Sequence, residues 1–217
     1  MRNLLLICLL TAVQWDSIAQ DSNPCTLKID KDSVRAYTCE NKDSKFRMVK
    51  VEFDVNTTPD HIASVLLDIA GYNNWQYKTI NAAVLQQISA NELIYYAEFV
   101  SPWPFDNRDV VVHMKVERAG SNLKITYKGI PDFIPKKKGI TRVASSASSL
   151  DVVTLAQPTL SGQTGRIQVE YKSNVDPGGN LPPFLMNQFA VDGPFESFSA
   201  LRKHLNLEAE KIVAEKK

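Results

Sequence analysis

Arg108 stands at the start of an alternating run. Val110, Val112, Met114 and Val116 form one face of that run, and Asp109, Val111, His113, Lys115 and Glu117 form the other. Arg108 shares the parity of the apolar face. A guanidinium turned toward an apolar interior needs a partner, because an unpaired buried charge is prohibitive. Glu98, on the preceding predicted strand, is the candidate: the two strands meet through one loop, so both residues lie near the same end. The competing reading leaves Arg108 in water at the strand edge.

Groups for bond-breaking chemistry are sparse. An enzyme needs positioned acid–base groups, and the three histidines are His61, in the first turn of a short helix, His113, on the outward face, and His204, late in the terminal helix. None shares a motif with Cys, Asp or Glu at metal-ligand spacing. There is no serine nucleophile elbow and no glycine-rich phosphate loop. The pattern assigns no catalytic residue, no metal and no cofactor. Tyr95, Tyr96 and Arg108 are polar groups that could still assist a reaction, which keeps an enzymatic reading open.

The stretch Ser101-Pro102-Trp103-Pro104-Phe105-Asp106-Asn107 separates the strand ending at Val100 from the one starting at Arg108. Two prolines cannot sit in a central strand, so this is a loop. It displays Trp103, Pro104 and Phe105. Either the aromatics fold back onto the core, or one is exposed at a pocket mouth, where such a ring suits a membrane interface.

The elements that must position these residues follow from periodicity. Cys25 to Cys39 reads as a hairpin turning at Asp30 to Ser33. Phe46 to Val55 alternates as a half-buried strand. Thr58-Pro59 starts a helix with a cap and a proline at its first position; Ile62, Val65, Leu66 and Ile69 make its stripe, and Gly71 ends it. Tyr72 to Lys78 is a second short helix with Trp75 facing the core. Six strands follow, at Asn81–Ile88, Glu92–Val100, Arg108–Arg118, Asn122–Ile130, Ile140–Leu155 and Thr164–Val175, with short links that imply an antiparallel meander. Ser145 to Ser149 is small and polar, a place for a bend, a bulge or extra room.

The chain then turns at Asp176-Pro177-Gly178-Gly179 and enters a helical pattern from Asn180 to Leu205, capped by Asn180, with Pro182 and Pro183 in the first turn. Leu181, Leu185, Phe189, Phe198, Leu201 and Leu205 form its stripe, and Pro194 predicts a kink near Gly193. It closes the domain as an ordinary amphipathic helix, or as a lid over a cavity. A curved sheet and one helix need not fill the space between them, and the leftover volume is a pocket. Tyr96, Val110, Val112, Met114 and Phe189 are expected to line it. The fold class is α+β.

Composition bounds the partners. At 217 residues the chain is one large domain, or one domain with a targeting segment. A formal net charge of +1 gives no reason to expect nucleic acid, and a monomer is expected. Arg2, the apolar run Leu4 to Val13 and the small residues Ser17 and Ala19 read as a signal peptide over residues 1–19, leaving a mature domain at 20–217 and a periplasmic or secreted protein. In that oxidising setting Cys25 and Cys39, equidistant from Asp32, are expected to form a disulfide if the hairpin holds them in register; otherwise they are free thiols. Lys136-Lys137-Lys138 is a solvated tip or a contact for anionic headgroups.

Pro-Trp-Pro-Phe-Asp-Asn-Arg-Asp, with Asp-Pro-Gly-Gly, Pro-Pro-Phe-Leu-Met-Asn and Gly-Pro-Phe-Glu-Ser-Phe downstream, resembles the START family of lipid-transfer domains, from about Phe46 to Leu205. The resemblance implies a helix-grip fold, in which a curved antiparallel sheet grips a C-terminal helix around a hydrophobic tunnel. It implies binding of one lipid or other hydrophobic molecule without covalent chemistry, and transient membrane contact. Glu98 and Arg108 occupy the positions of the family's polar cavity residues, and the proline-rich loop is similar to its flexible gate. The same fold class hosts polyketide cyclases, the alternative function. The signal peptide fits an exported bacterial version.

Overall fold

The computed structural model describes residues 24–156 and 165–214. The expected leader, 1–19, lies outside them. Ten strands form one sheet among the described residues: β1 (Cys25–Lys31), β2 (Val34–Cys39), β3 (Met48–Thr57), β4 (Thr79–Ser89), β5 (Glu92–Phe99), β6 (Arg108–Ala119), β7 (Asn122–Gly129), β8 (Thr141–Arg142), β9 (Ser145–Ala156) and β10 (Gly165–Asp176). Their order is β1-β2-β3-β10-β9-β7-β6-β5-β4, with β8 lying parallel to the start of β6. Every other pairing is antiparallel. The curved sheet and the C-terminal helix make the expected helix grip.

The hairpin β1–β2 turns through Asp32 and Ser33, both at positive φ, as a two-residue loop requires. An irregularity between Leu27 and Ile29 shifts the register so that Cys25 faces Cys39. The disulfide forms there, with Cα atoms 3.9 Å apart. Strand β3 carries the predicted alternation, with Val49, Val51, Phe53 and Val55 buried.

Helix α1 (Pro59–Leu67) begins as predicted: Thr58 caps it by accepting from the His61 backbone N–H, and Pro59 takes a first-turn position where its missing donor costs nothing. It stops before Gly71. The chain passes into a 3₁₀ turn over Ile69–Asn74, which buries Tyr72 and delivers Trp75.

The long predicted strand Ile140–Leu155 is two, β8 and β9. Arg142 breaks it, because its side chain is drawn into a buried ion pair with Asp109 of β6. Ser145 to Ser149 is a regular strand stretch that pairs with both β7 and β10, so it gives room rather than a bend. Gly129 matches that closeness: a Cβ there would sit 2.5 Å from the Ser146 hydroxyl. Gly178 turns the chain after β10 at φ +70, and a Cβ would sit 2.6 Å from the Arg142 carbonyl oxygen.

The terminal helix is not a kinked rod. It is α2 (Pro183–Phe189) and α3 (Asp192–Ala214), parted before Gly193. Pro194 falls in the first turn of α3, where no intrahelical bond to its nitrogen is due, so the proline starts a helix instead of bending one. Asn180 is not the cap of α2; Pro182 holds that position with no side-chain bond. Phe198 of α3 stacks on Tyr171 of β10 at 4.6 Å and on Phe53 of β3 at 6.0 Å between ring centroids. Arg202 adds a bond from Nε to the Asp54 carbonyl oxygen at 2.8 Å. No helix among the described residues is long and apolar enough to cross a membrane.

Candidate ligand-binding cavity

Between the sheet and α3 lies a cavity of about 260 Å³. Its floor is Leu66 and Tyr72, each 1 % exposed. Its mouth is marked by Tyr77 and Val175, lining residues that also reach solvent, and by Gly193 and Pro194 at the start of α3. Tyr77 spans this mouth: its backbone N–H donates to the Ser197 hydroxyl at 3.0 Å, and its ring lies 3.9 Å from where a Cβ on Gly193 would stand.

Val110 and Val112 line the cavity as their parity predicted, and Met114 continues the same face into the core. Arg108 begins that face opposite Phe99 of β5 and is 8 % exposed. Its partner, however, is not Glu98. The guanidinium donates from Nε to the Pro177 carbonyl oxygen at 3.2 Å, and from Nη1 to the Ser101 hydroxyl at 2.9 Å and the Asp106 carbonyl oxygen at 3.1 Å. Burial depresses its pKa, opposed in part by the Asp106 charge. Arg108 thus ties both ends of the proline-rich loop to the Asp176–Gly179 turn through neutral oxygens.

Glu98 and Tyr96 stand on the opposite face. The β5–β6 register pairs Phe99 with Arg108 and Glu98 with Asp109, so the inner set of β5 is Leu93, Tyr95, Ala97 and Phe99. Tyr96 packs with Ile94 and Val111 in a second apolar cluster, beneath Ile130 and Ile134. Its hydroxyl donates to Glu98 at 2.8 Å, and Lys137 sits 3.5 Å from the same carboxylate and 4.2 Å above the Tyr96 ring. Lys137 is therefore tethered to the sheet. Phe189, expected in the cavity, is 54 % exposed on α2 and lines none of it. The break before α3 turned the two halves of the apolar stripe to different surroundings.

In the proline-rich loop, Trp103 is 93 % exposed, Phe105 is half-buried, and the Trp103–Pro104 bond is cis. Of the two open readings for its aromatics, Trp103 takes the exposed one.

The residues missed from the sequence are aromatic. Tyr72, Tyr95, Tyr127 and Tyr171 all reach the cavity, from four distant points of the chain. Tyr72 donates to the Leu66 carbonyl oxygen at 2.7 Å, and Tyr171 donates to the Ser148 hydroxyl at 3.2 Å, which passes a bond on to Ser173 at 2.9 Å. Burial, reinforced by the neighbouring phenols, pushes the hydroxyls of Tyr72, Tyr95 and Tyr127 upward, so they remain neutral donors. Inner-face parity of Tyr95, Tyr127 and Tyr171 on their strands was the available signal.

A pH dependence follows. A phenol whose folded pKa lies above its ordinary value of 10.0 binds more protons folded than unfolded once pH passes 10.0. Its contribution is complete below that pH and is lost as pH rises. Urea stability should be flat near neutrality and fall above pH 10, by about 1.4 kcal/mol per pH unit for each such phenol. Tyr95→Phe should give a shallower fall; an identical slope would contradict the burial of that hydroxyl.

A family model for the START domain matches residues 2–211. The chain belongs to the START family. An uncharacterized Pseudomonas aeruginosa protein is 29 % identical over 207 residues, 93 % of this chain and 97 % of that one. The crystal structure of a STAR-related lipid transfer protein from Xanthomonas axonopodis is similar at a TM-score of 0.74 with 27 % identity, covering 83 % of this chain and 98 % of that fragment. An aromatase/cyclase from a Streptomyces species shares the fold alone, at a TM-score of 0.53 and 15 % identity over 77 % of this chain and 95 % of its own. This START domain therefore has the architecture of a lipid or hydrophobic-ligand binder. Among its described residues no group of His, Cys, Asp and Glu is arranged to hold a metal ion.

Proposed function

We propose that the protein binds one lipid or other hydrophobic molecule in the cavity beneath α3 and releases it unchanged. The observation that carries this reading is the wall: aliphatic and aromatic side chains with a few neutral polar groups, and no Asp, Glu, Lys, Arg or His among the described lining residues. Val110 and Val112 are its ligand contacts, and Met114 supports them from below. The second reading, a cyclase-like enzyme of the same fold class, is favoured by one observation, the phenols gathered in the cavity. Recovery of a bound molecule chemically altered after incubation would support it.

Exchange with a membrane fits the mouth. Trp103, Val100, Tyr77 and Ile80 are exposed apolar groups, and the segments bearing Tyr77 and Val100 are joined by the Val100 backbone N–H donating to the Lys78 carbonyl oxygen at 3.0 Å. In this proposal the loop bearing Trp103, Pro104 and Phe105 contacts the bilayer and moves with the start of α3, widening the mouth for a lipid-sized molecule. Arg108 pins the loop. The Cys25–Cys39 disulfide supports an oxidising compartment, periplasmic or secreted, with the protein exported by residues 1–19.

The test is a chain-length series of 1-alkanols titrated into the protein by calorimetry. Each buried methylene contributes roughly 0.8 kcal/mol, nearly fourfold in affinity, until the cavity is full. Affinity should climb and then level off at one molecule per chain. A flat series would mean that the molecule does not enter the cavity.

A further inference from the structure

The neutral wall is not uniformly apolar, and its polar groups differ in one respect. Most are already bonded within the protein. Tyr72 and Tyr171 donate as described, Thr79 donates to the Gln76 side chain at 3.0 Å, and Ser197 donates to the Gly193 carbonyl oxygen at 2.8 Å. Three are not. The indole N–H of Trp75, a residue 8 % exposed, is buried with no hydrogen-bond partner. The hydroxyls of Tyr95, a residue 5 % exposed, and of Tyr127 have no hydrogen bond to another described residue. Trp75 and Tyr95 flank the same ring: their centroids lie 4.9 and 5.6 Å from that of Tyr72, each in an edge-on arrangement. All three residues line the cavity, Trp75 and Tyr95 beside Tyr72.

Buried donors are nearly always satisfied, and leaving one unmade costs its full desolvation. An indole N–H can only donate, whereas a phenol both donates and accepts. The complement of this set is an oxygen with free lone pairs. It is not a charged group. A phosphate or carboxylate carried to this depth would meet no cation, and an ammonium would meet no carboxylate, among the described lining residues. Arg108 does not supply that charge, since its guanidinium is turned to Pro177, Ser101 and Asp106.

We propose that the ligand enters with an uncharged oxygen function leading, a hydroxyl or a carbonyl on an apolar body, and that Trp75, Tyr95 and Tyr127 hold this oxygen at the inner end of the cavity. This rests on the reading of the cavity as the ligand site. It selects within that reading: a molecule with a charged end binds weakly or leaves that end outside.

The experiment is calorimetric titration of the full chain with four twelve-carbon probes below their micellar concentrations: 1-dodecanol, 2-dodecanone, monododecyl phosphate and dodecyltrimethylammonium. The alcohol and the ketone should each bind one per chain, at least about tenfold more tightly than either ion. Trp75→Phe and Tyr95→Phe should each weaken dodecanol by about three- to tenfold, the usual worth of one net hydrogen bond, while leaving any binding of the ions unchanged. Equal affinities across the four probes would overturn the proposal and leave the cavity reading standing. So would unchanged dodecanol affinity in both variants, which would mean that the three groups do not face the ligand. Preference for the ammonium would replace the oxygen site with an aromatic cage for a cation. Binding of none of the four would overturn the cavity reading as well.

Discussion

Asp109→Ala is expected to cost the fold about 3–5 kcal/mol, the largest loss from any single substitution considered. Asp109 and Arg142 form an ion pair whose side chains are 1 % and 2 % exposed. The contact is bidentate, with Arg142 Nε donating to Oδ1 at 2.7 Å and Nη2 to Oδ2 at 3.0 Å. The remaining donors go to the carbonyl oxygens of Pro131, Ile134 and Pro135. Arg142 thereby fastens the segment between β7 and β8 over the outer face of β5 and β6, covering the cluster of Ile94, Tyr96 and Val111. Removing the carboxylate strands a guanidinium where water cannot reach it. Removing both charges does not, so Asp109→Leu with Arg142→Met should lose less than either single change. Chemical denaturation of the three variants tests this. A loss below about 1 kcal/mol for Asp109→Ala would place the pair in contact with solvent.

Closing the mouth should stop ligand exchange. The proposed path of the molecule runs between Tyr77 and the first turn of α3, and the Tyr77 ring is in van der Waals reach of a side chain at Gly193. Gly193 is not at positive φ, so a cysteine there strains no backbone. Tyr77→Cys with Gly193→Cys, joined by a short bis-maleimide, fixes α3 to the turn that precedes β4. The Cys25–Cys39 pair is oxidised and does not compete for the reagent. Transfer of a pyrene-labelled dodecanol to phosphatidylcholine vesicles should slow by at least about tenfold in the cross-linked protein, because the opening that gates exchange is held shut. Each single-cysteine adduct should exchange at least as fast as the unmodified protein does. Unchanged transfer in the verified cross-link would show that the molecule enters elsewhere.

Much of the architecture was legible because local signals agreed. Thr58-Pro59 can start a helix and does; Val110, Val112 and Met114 share an inner face by alternation alone. The pairing of Cys25 with Cys39 followed from a hairpin whose tip was readable. What alternation cannot supply is the phase between two strands joined by a long loop. Tyr96 and Glu98 were placed inside because Glu98 was assumed to answer Arg108. The Val100–Asn107 connection instead sets Tyr95, Ala97 and Phe99 opposite the inner face of β6. A slip of one residue reverses every side chain. Arg108 is buried at the start of the inner face but does not line the cavity, and its partners are backbone and hydroxyl oxygens of the loop and turn, which no charge pattern announces. Pro194 was read as a kink because the pattern runs on through it; the break two residues earlier made it a helix start. Strand parity marks Tyr95 and Tyr127 one at a time, but their meeting with Trp75 on one wall comes only after the sheet curves, so spacing along the chain does not show it.

The most direct test is native mass spectrometry of the protein purified from its producing cells, beside Val110→Trp, which fills the cavity with an indole. The unmodified protein should carry one added mass per chain that is lost on denaturation and recovered in the organic extract as a single class of hydrophobic molecule. The variant, checked for an intact fold, should lack that mass. Equal occupancy of the two proteins would contradict binding in the cavity, as would an unmodified protein that stays empty both as purified and after incubation with lipid extract.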